Sequence, residues 1–314
     1  AARRGLATTA RVHEVTPRDG LQNEKTIVDL EDKIELCRLL ADTGVSSIEL
    51  TSFVRPDLVP ALKDAKELCQ ALPHQLWFST ARDRGVGFAA LVPNMRGLEN
   101  LLKVHQLGCP DTVVVLISCT ESHSKANVGR SIKDAMKQTL DVIECAKKEG
   151  VGTRAYCSMA FGCPFEGDVD PEVVADIVAA YSEADVDMIG LADTFGRAQP
   201  EQVRALVKRC IEAEGGNPQR FAMHMHDTGG MAQQNCLEGL KLGITEFDSA
   251  VGGCGGCNFA PGAKGNLSTQ KLLAVLDYYE MSHSVDKEKM ASAHSFLETS
   301  LKRDLDPVAE FSLP

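Results

Sequence analysis

Apolar positions along this chain fall into two alternating patterns. Short runs of five or six residues, rich in Val, Ile, Leu and Phe, occupy 11–15, 46–50, 87–92, 112–117, 152–157, 186–191, 220–224 and 245–250. Runs of this length without strict polar alternation read as strands buried on both faces, as in parallel sheets. Between them the apolar spacing changes to three and four, as for Ile34, Cys37 and Leu40 ahead of Gly44. That spacing predicts helices over 32–43, 56–72, 95–107, 131–148, 171–183, 200–214 and 230–242, then 269–279 and a more polar helical tail to about 302. Pro171 and Pro200 stand just inside two of these starts, where a missing N–H leaves no bond unmade.

Eight strand-then-helix units in succession predict an α/β fold, a single (β/α)8 TIM barrel, rather than an open doubly wound sheet. No linker, low-complexity tract or charge block interrupts the alternation. The expected organisation is a flexible N-terminus over 1–10, a catalytic barrel over 11–280 and a C-terminal helical extension over 281–314.

Composition narrows the function classes. With 44% hydrophobic and 25% charged residues among 314, the chain has a globular balance. Its 33 basic against 44 acidic residues give a net charge of -11, which disfavours nucleic acid and anionic membrane surfaces as partners. No apolar run approaches the roughly 18 residues of a membrane span. Eleven scattered cysteines without a repeated framework read as small buried thiols of a reducing compartment. Arg3 and Arg4, in an acid-free first ten residues, faintly resemble the end of a transit peptide. A bacterial cytoplasm is the expected location, with the mitochondrial matrix as the alternative.

In such barrels, chemistry is built at the C-terminal ends of the strands and in the loops that follow. Arg18, Asp19 and Gln22 follow the first strand, and Glu49 and Ser52 end the second. Arg154 and Tyr156 lie on the fifth, Asp193 ends the sixth, and His224 and His226 end the seventh. After the eighth come the glycine-rich run 252–256, Cys257 and Asn266. Residues two apart on a strand point to one side, so both imidazoles face the barrel axis. With Asp19, and an amide oxygen from Asn266, they make a plausible site for a divalent metal cation. A nitrogen and oxygen set without thiolate suits Mg2+ or Mn2+. The alternative is two histidines bonded to backbone partners.

The glycine-rich run also has two readings. It is either a mobile arm bringing a Cys257 thiol of lowered pKa to the site, or a tight turn with an inert cysteine. Cys254 and Cys257 have C-x-x-C spacing, but the Gly-Gly between them is poor for a redox motif that opens a helix.

Several stretches together resemble the 3-hydroxy-3-methylglutaryl-CoA lyase family, part of a wider group of metal-dependent barrels that includes isopropylmalate and homocitrate synthases. They are Val-Thr-Pro-Arg-Asp-Gly-Leu-Gln-Asn-Glu at 15–24, Ile-Glu-Leu-Thr-Ser-Phe-Val at 48–54, Gly-Cys-Pro-Phe-Glu-Gly at 162–167, His-Met-His-Asp-Thr at 224–228 and Gly-Gly-Cys at 255–257. The resemblance covers about residues 11–280. It implies a retro-Claisen cleavage of an acyl-CoA to acetyl-CoA and a 3-oxo acid. Asp19, His224, His226 and Asn266 would hold the cation, Arg18 would stabilise the enolate, and Cys257 would deliver the proton that quenches it. Glu49 and Asp193 would support acid–base chemistry, with His224 beside the reacting hydroxyl. Gln22, Ser52, Arg154, Tyr156, His123 and Asn127 would contact substrate, and Arg55, Lys125 or Lys264 the CoA phosphates. By analogy with similar barrels, a homodimer is expected.

Five positions depart from the family pattern: His123, Cys254, Asn258, Lys264 and Gln270, the last replacing an acid four residues after Asn266. They leave the metal and thiol chemistry intact and bear on the acyl group. The rival readings are a Claisen-condensing synthase, an aldolase acting on 4-hydroxy-2-oxo acids, and a non-catalytic barrel used for binding.

Overall fold

Parallel pairing runs from strand to strand in sequence order through β1 (Arg11–Glu14), β2 (Ser47–Ser52), β3 (Gly87–Leu91), β4 (Thr112–Ser118), β5 (Gly152–Ser158), β6 (Met188–Asp193), β7 (Phe221–Met225) and β8 (Glu246–Ser249). β8 then pairs with β1, from Arg11 opposite Glu246 to Glu14 opposite Ser249, and closes the barrel. This is a computed structural model that describes residues 9–256 and 265–307. The described helices are α1 (Leu30–Asp42), α2 (Ala65–Ala71), α3 (Leu76–Asp83), α4 (Met95–His105), α5 (Glu121–Val128), α6 (Ile132–Lys148), α7 (Pro171–Glu183), α8 (Pro200–Glu214), α9 (Ala232–Lys241), α10 (Thr269–Tyr278) and α11 (Lys287–Leu301). The expected TIM barrel is the observed fold. Among the described residues, no helix is long and apolar enough to cross a membrane.

The two faces of the strands do different work. One set of side chains, among them Val12, Ile48, Leu50, Val113, Cys157, Leu191 and Phe247, is buried in the main core cluster that also takes in residues of the surrounding helices. A separate small cluster of Ala89, Leu91, Val114, Tyr156 and Ala192 packs together with Leu116. Near it lies a buried polar set that includes His13, Glu49, Arg154, His224, Glu246 and Asp248. Gly190 on β6 makes room for the Tyr156 ring, since a Cβ there would fall 2.1 Å from a ring carbon.

The structure differs from expectation in three places. The helix expected over 56–72 is a 3-10 turn at Pro60–Leu62 followed by the short α2, because Pro60 cannot donate to a helical ladder. Pro73 sits in a second 3-10 turn, after which α3 forms separately. The short α5 has no apolar stripe in Glu-Ser-His-Ser-Lys-Ala-Asn-Val, so periodicity gave it no signal; Gly129, in the left-handed region, ends it.

Candidate active site

The chain after β1 winds tightly, with the N–H groups of Arg18, Asp19 and Gly20 all donating to the Val15 carbonyl. This places Asp19 against the two histidines from the end of β7. Asp19 Oδ2 lies 3.9 Å from His224 Nε2 and 3.8 Å from His226 Nε2. The two Nε2 atoms stand 3.2 Å apart. His226 forms an isolated backbone bridge with Asn266, whose Nδ2 donates to Asp19 Oδ2 at 2.8 Å and to the Cys254 carbonyl at 3.0 Å. In this arrangement the amide nitrogen of Asn266, rather than its oxygen, faces Asp19.

These residues fit a divalent cation. Their ligand atoms all lie within 4.8 Å of one another. Neighbouring ligands of an octahedral ion at about 2.1 Å stand about 3 Å apart, close to the spacing of the two ring nitrogens. A single proton between those nitrogens can serve only one of them as donor, whereas a cation satisfies both lone pairs. His226 Nδ1 is buried without a hydrogen-bond partner among the described residues. His224 Nδ1 is bonded to Asp248 Oδ2 at 3.0 Å, which turns the lone pair of Nε2 toward the site.

The charges are distributed to the same end. Burial alone would raise the Asp19 carboxyl, but Arg18, then His224 and His226, outweigh it and hold it near about 2. Burial, then the neighbouring His224, pushes His226 down to about 4, so it is neutral at pH 7. Burial also opposes charge on His224, yet the bond to Asp248 and the Asp248 and Asp19 charges lift it above its ordinary value.

Arg18 is held from two sides, by Asp19 through Nη1 and by Glu49 through Nη2 at 2.8 Å. Burial raises Glu49 above the usual carboxylate range although Arg18 opposes it. The second Glu49 oxygen, Oε1, and the Ser52 hydroxyl are buried without partners among the described residues.

Beside this cluster opens a cavity of about 260 Å³. Arg18, Asp19, Gln22, Ser52, His123, Asn127, Tyr156, His224 and His226 all line it. The structure therefore brings most of the sequence-predicted site to one cavity. The rest of the lining includes Val54, Val59, Leu91, Val115 and Val142. His123 is held through Nδ1 by the Ser118 hydroxyl at 2.9 Å, and burial pushes it down to about 4.

Glu49 and Asn266 join the cluster without lining the cavity, and Arg154 and Asp193 sit elsewhere. Arg154 is not among the lining residues: its guanidinium is ion-paired with Glu246 at 2.8 Å and Asp248 at 2.5 Å. Asp193 spends its carboxylate on the N–H groups of Gly196 and Ala198, both at 2.9 Å, and so shapes the turn after β6; burial pushes it up to about 6. Cys257 lies outside the described residues, as do Asn258 and Lys264. Its approach is described: the Gly256 carbonyl, which Asn23 holds at 2.8 Å, belongs to the last described residue before it. Cys254 is buried, and that burial chiefly pushes its thiol up to about 12.

Sequence reasoning missed Asp248. Its carboxylate takes His224, Arg154 and the Tyr156 hydroxyl together, the last at 2.5 Å. The available signal was Glu-Phe-Asp on the eighth strand, two acids on one face of a run otherwise expected to be buried.

A closed parallel barrel with an Asp-His-His cluster beside a cavity at its mouth is the architecture of a barrel enzyme with a candidate divalent-metal site. Residues 10–297 match the HMGL-like family, and the chain belongs to it. It is 38% identical over 294 residues to the hydroxymethylglutaryl-CoA lyase YngG of Bacillus subtilis, covering 94% of each chain. It is 37% identical over 289 residues to a 3-hydroxy-3-isohexenylglutaryl-CoA/hydroxy-methylglutaryl-CoA lyase of Pseudomonas aeruginosa, covering 92% of this chain and 91% of that one. An HMG-CoA lyase from Acinetobacter baumannii, solved with coenzyme A and 3-methylmalate, superposes with a TM-score of 0.86 at 28% identity over 98% of both chains.

Proposed function

We propose that this chain is a carbon–carbon lyase that cleaves 3-hydroxy-3-methylglutaryl-CoA to acetyl-CoA and acetoacetate. The observation that carries the reading is the convergence on one cavity of Asp19, His224, His226 and Arg18, the last held from behind by Glu49. The lyase names of relatives that align over nearly the whole chain support it against a condensing synthase, an aldolase or a silent barrel.

The reaction removes the proton of a tertiary hydroxyl, breaks the adjacent C–C bond and leaves a ketone and a thioester enolate, which then takes up a proton. A divalent cation held by Asp19, His224 and His226, with Asn266 beside them, would draw charge from the substrate hydroxyl and carboxylate. One carboxylate and two imidazoles suit Mg2+ or Mn2+. Arg18, fixed by Asp19 and Glu49, is the cation placed for the enolate oxygen, and such preorganised charge needs little rearrangement as the enolate forms. His224 keeps Nε2 directed at the reacting end because Asp248 holds Nδ1. Glu49 orients Arg18 and keeps its proton affinity raised, and Asp193 orients the turn behind the histidines. Cys257 Sγ delivers the proton to the enolate carbon. Gln22, Ser52, Tyr156, His123 and Asn127 contact the acyl group from the lining, and Arg154 supports Tyr156 and Asp248 from behind.

Further parts of the reading are an acyl-CoA substrate, a homodimer and a reducing compartment, the bacterial cytoplasm ahead of the mitochondrial matrix. Ten free thiols among the described residues fit such a compartment. Light scattering on a sizing column tests the dimer. The principal test follows acetyl-CoA release from 3-hydroxy-3-methylglutaryl-CoA after chelation and after return of Mg2+ or Mn2+. Cleavage restored by metal is expected, with Cys257→Ala slower by about 10²–10⁴-fold and His226→Ala failing to respond to metal. Absence of cleavage in the metal-loaded protein would overturn the substrate. The analogue bearing a 3-isohexenyl group, run alongside, measures how far the apolar lining tolerates a larger substituent.

A further inference from the structure

The glycine-rich run before Cys257 is gripped by a part of the chain that follows it by about fifty residues, just past the end of α11. Gly252 and Gly253 have φ of 55° and 68°, so their backbone follows a path that other residues rarely take. The Gly252 carbonyl accepts from Asp306 N–H at 3.1 Å, and a Cβ on Gly252 would meet Leu305 at 2.5 Å. The Gly252 N–H donates to Gln270 Oε1 at 3.1 Å, and the Ser268 hydroxyl donates to the same oxygen at 2.9 Å. The other end of that amide, Nε2, faces His294 Nδ1 on α11 at 2.7 Å. His294 Nε2 lies 3.1 Å from Glu298 Oε1, an oxygen that also accepts from Leu305 N–H.

This chain of contacts has only one consistent direction. A backbone N–H can only donate, so the oxygen of Gln270 must face Gly252 and the amide NH2 must face His294. Nδ1 of His294 must then be an acceptor and carry no proton, with the ring proton on Nε2 donated to Glu298. Protonating Nδ1 sets donor against donor. Gln270 must then withdraw, or flip and present its NH2 to Gly252 N–H; either change strips Gly252 of its acceptor.

We propose that Gln270 and His294 are a positioning pair for the glycine-rich stem that leads to Cys257, and that the stem keeps its pose only while the His294 ring is neutral. The inference rests on the lyase reading for its consequence, since it is that reading which gives Cys257 the enolate proton. Glu298 is the ionisable group bonded to the ring from α11 itself. From the segment after α11 come Asp306 and Arg303; from α10, Lys271, which binds Asp306 at 3.0 Å. Arg303 is already paired with Glu24. None of these can replace the acceptor that Gly252 needs, because each is committed or bears the wrong polarity.

The test reads the Gly252 amide directly, by hydrogen exchange of metal-free full-length protein at pH 5.5 and 7.5, each variant compared with wild type at the same pH. In the wild type, protection of Gly252 is expected to fall about tenfold more on acidification than in His294→Asn, whose Oδ1 accepts like Nδ1 but cannot titrate. Gln270→Glu reverses the sign: its carboxylate accepts from Gly252 and requires a proton on Nδ1, so protection is greater at pH 5.5 and falls at pH 7.5. In parallel, acetyl-CoA release should show the same opposite trends in kcat with KM little changed. Equal pH responses of Gly252 in wild type and His294→Asn would overturn the inference, as would a Gln270→Glu variant with the wild-type trend. If the exchange pattern appears but the metal-loaded wild type releases no acetyl-CoA, the pair stands and the lyase reading fails.

Discussion

Asp248 ties three residues from two other strands to one carboxylate, and its charge decides how His224 meets a cation. Because Asp248 lifts the proton affinity of His224 above its ordinary value, the metal-free site binds a proton on that ring at higher pH than an ordinary imidazole would. His226, held near about 4, does not compete until far lower pH. A cation must displace the His224 proton, so its affinity should decline with falling pH by about one proton per ion. Chelator competition at several pH values between 5.5 and 8 measures that slope. In Asp248→Asn the proton is held less firmly, so the decline should begin at lower pH. The less basic imidazole should also weaken metal binding by about 10–100-fold. A flat profile in the wild type would show that some other group carries the ring's partner charge.

Strands and helices were legible where a repeat of apolar residues survives and hidden where proline or polarity breaks it. All eight strands fall within two residues of their expected starts, and α7 and α8, each opened by a proline, run over the expected spans. α2 and α3 were obscured by Pro60 and Pro73, and α5 by its polar sequence. The site divides the same way. His224 and His226 declare themselves by spacing, whereas the partners of Asp248 and the displaced role of Arg154 arise only when barrel closure turns β5, β7 and β8 toward one interior. Gly190 belongs to this level too, for nothing in Met-Ile-Gly-Leu announces that a tyrosine from β5 fills the space above it. Gly190→Ala should cost about 1–3 kcal/mol, as overpacked cores do, measured by urea unfolding. The displaced Tyr156 ring should also lower kcat by disturbing Asp248. Unchanged stability would mean that the ring has room to move aside.

For the whole molecule, a bound cation should act as a brace between regions that are distant in sequence. Saturation at 100 times Kd adds about 2.7 kcal/mol to the folded state. At roughly 2 °C per kcal/mol in a chain of this size, that is about 5 °C in Tm. Thermal melts with Mg2+ or Mn2+ and with a chelator test this, and the gain should vanish in His226→Ala. A metal-dependent rise that survives in that variant would place the ion elsewhere.

The seam between β1 and β8 gives the site a history in time as well as a geometry. Asp19 and Asn266 are 247 residues apart, yet they touch. At about 5–20 residues per second, a ribosome needs roughly 12–50 s to travel between them. For most of that interval the emerging chain carries an aspartate and an arginine without the two histidines of β7, and a first strand with one edge still open. A cation therefore cannot guide the early stages of synthesis. It can only ratify the finished ring, and every loaded molecule is one whose translation ran at least as far as the strand that shuts the circle.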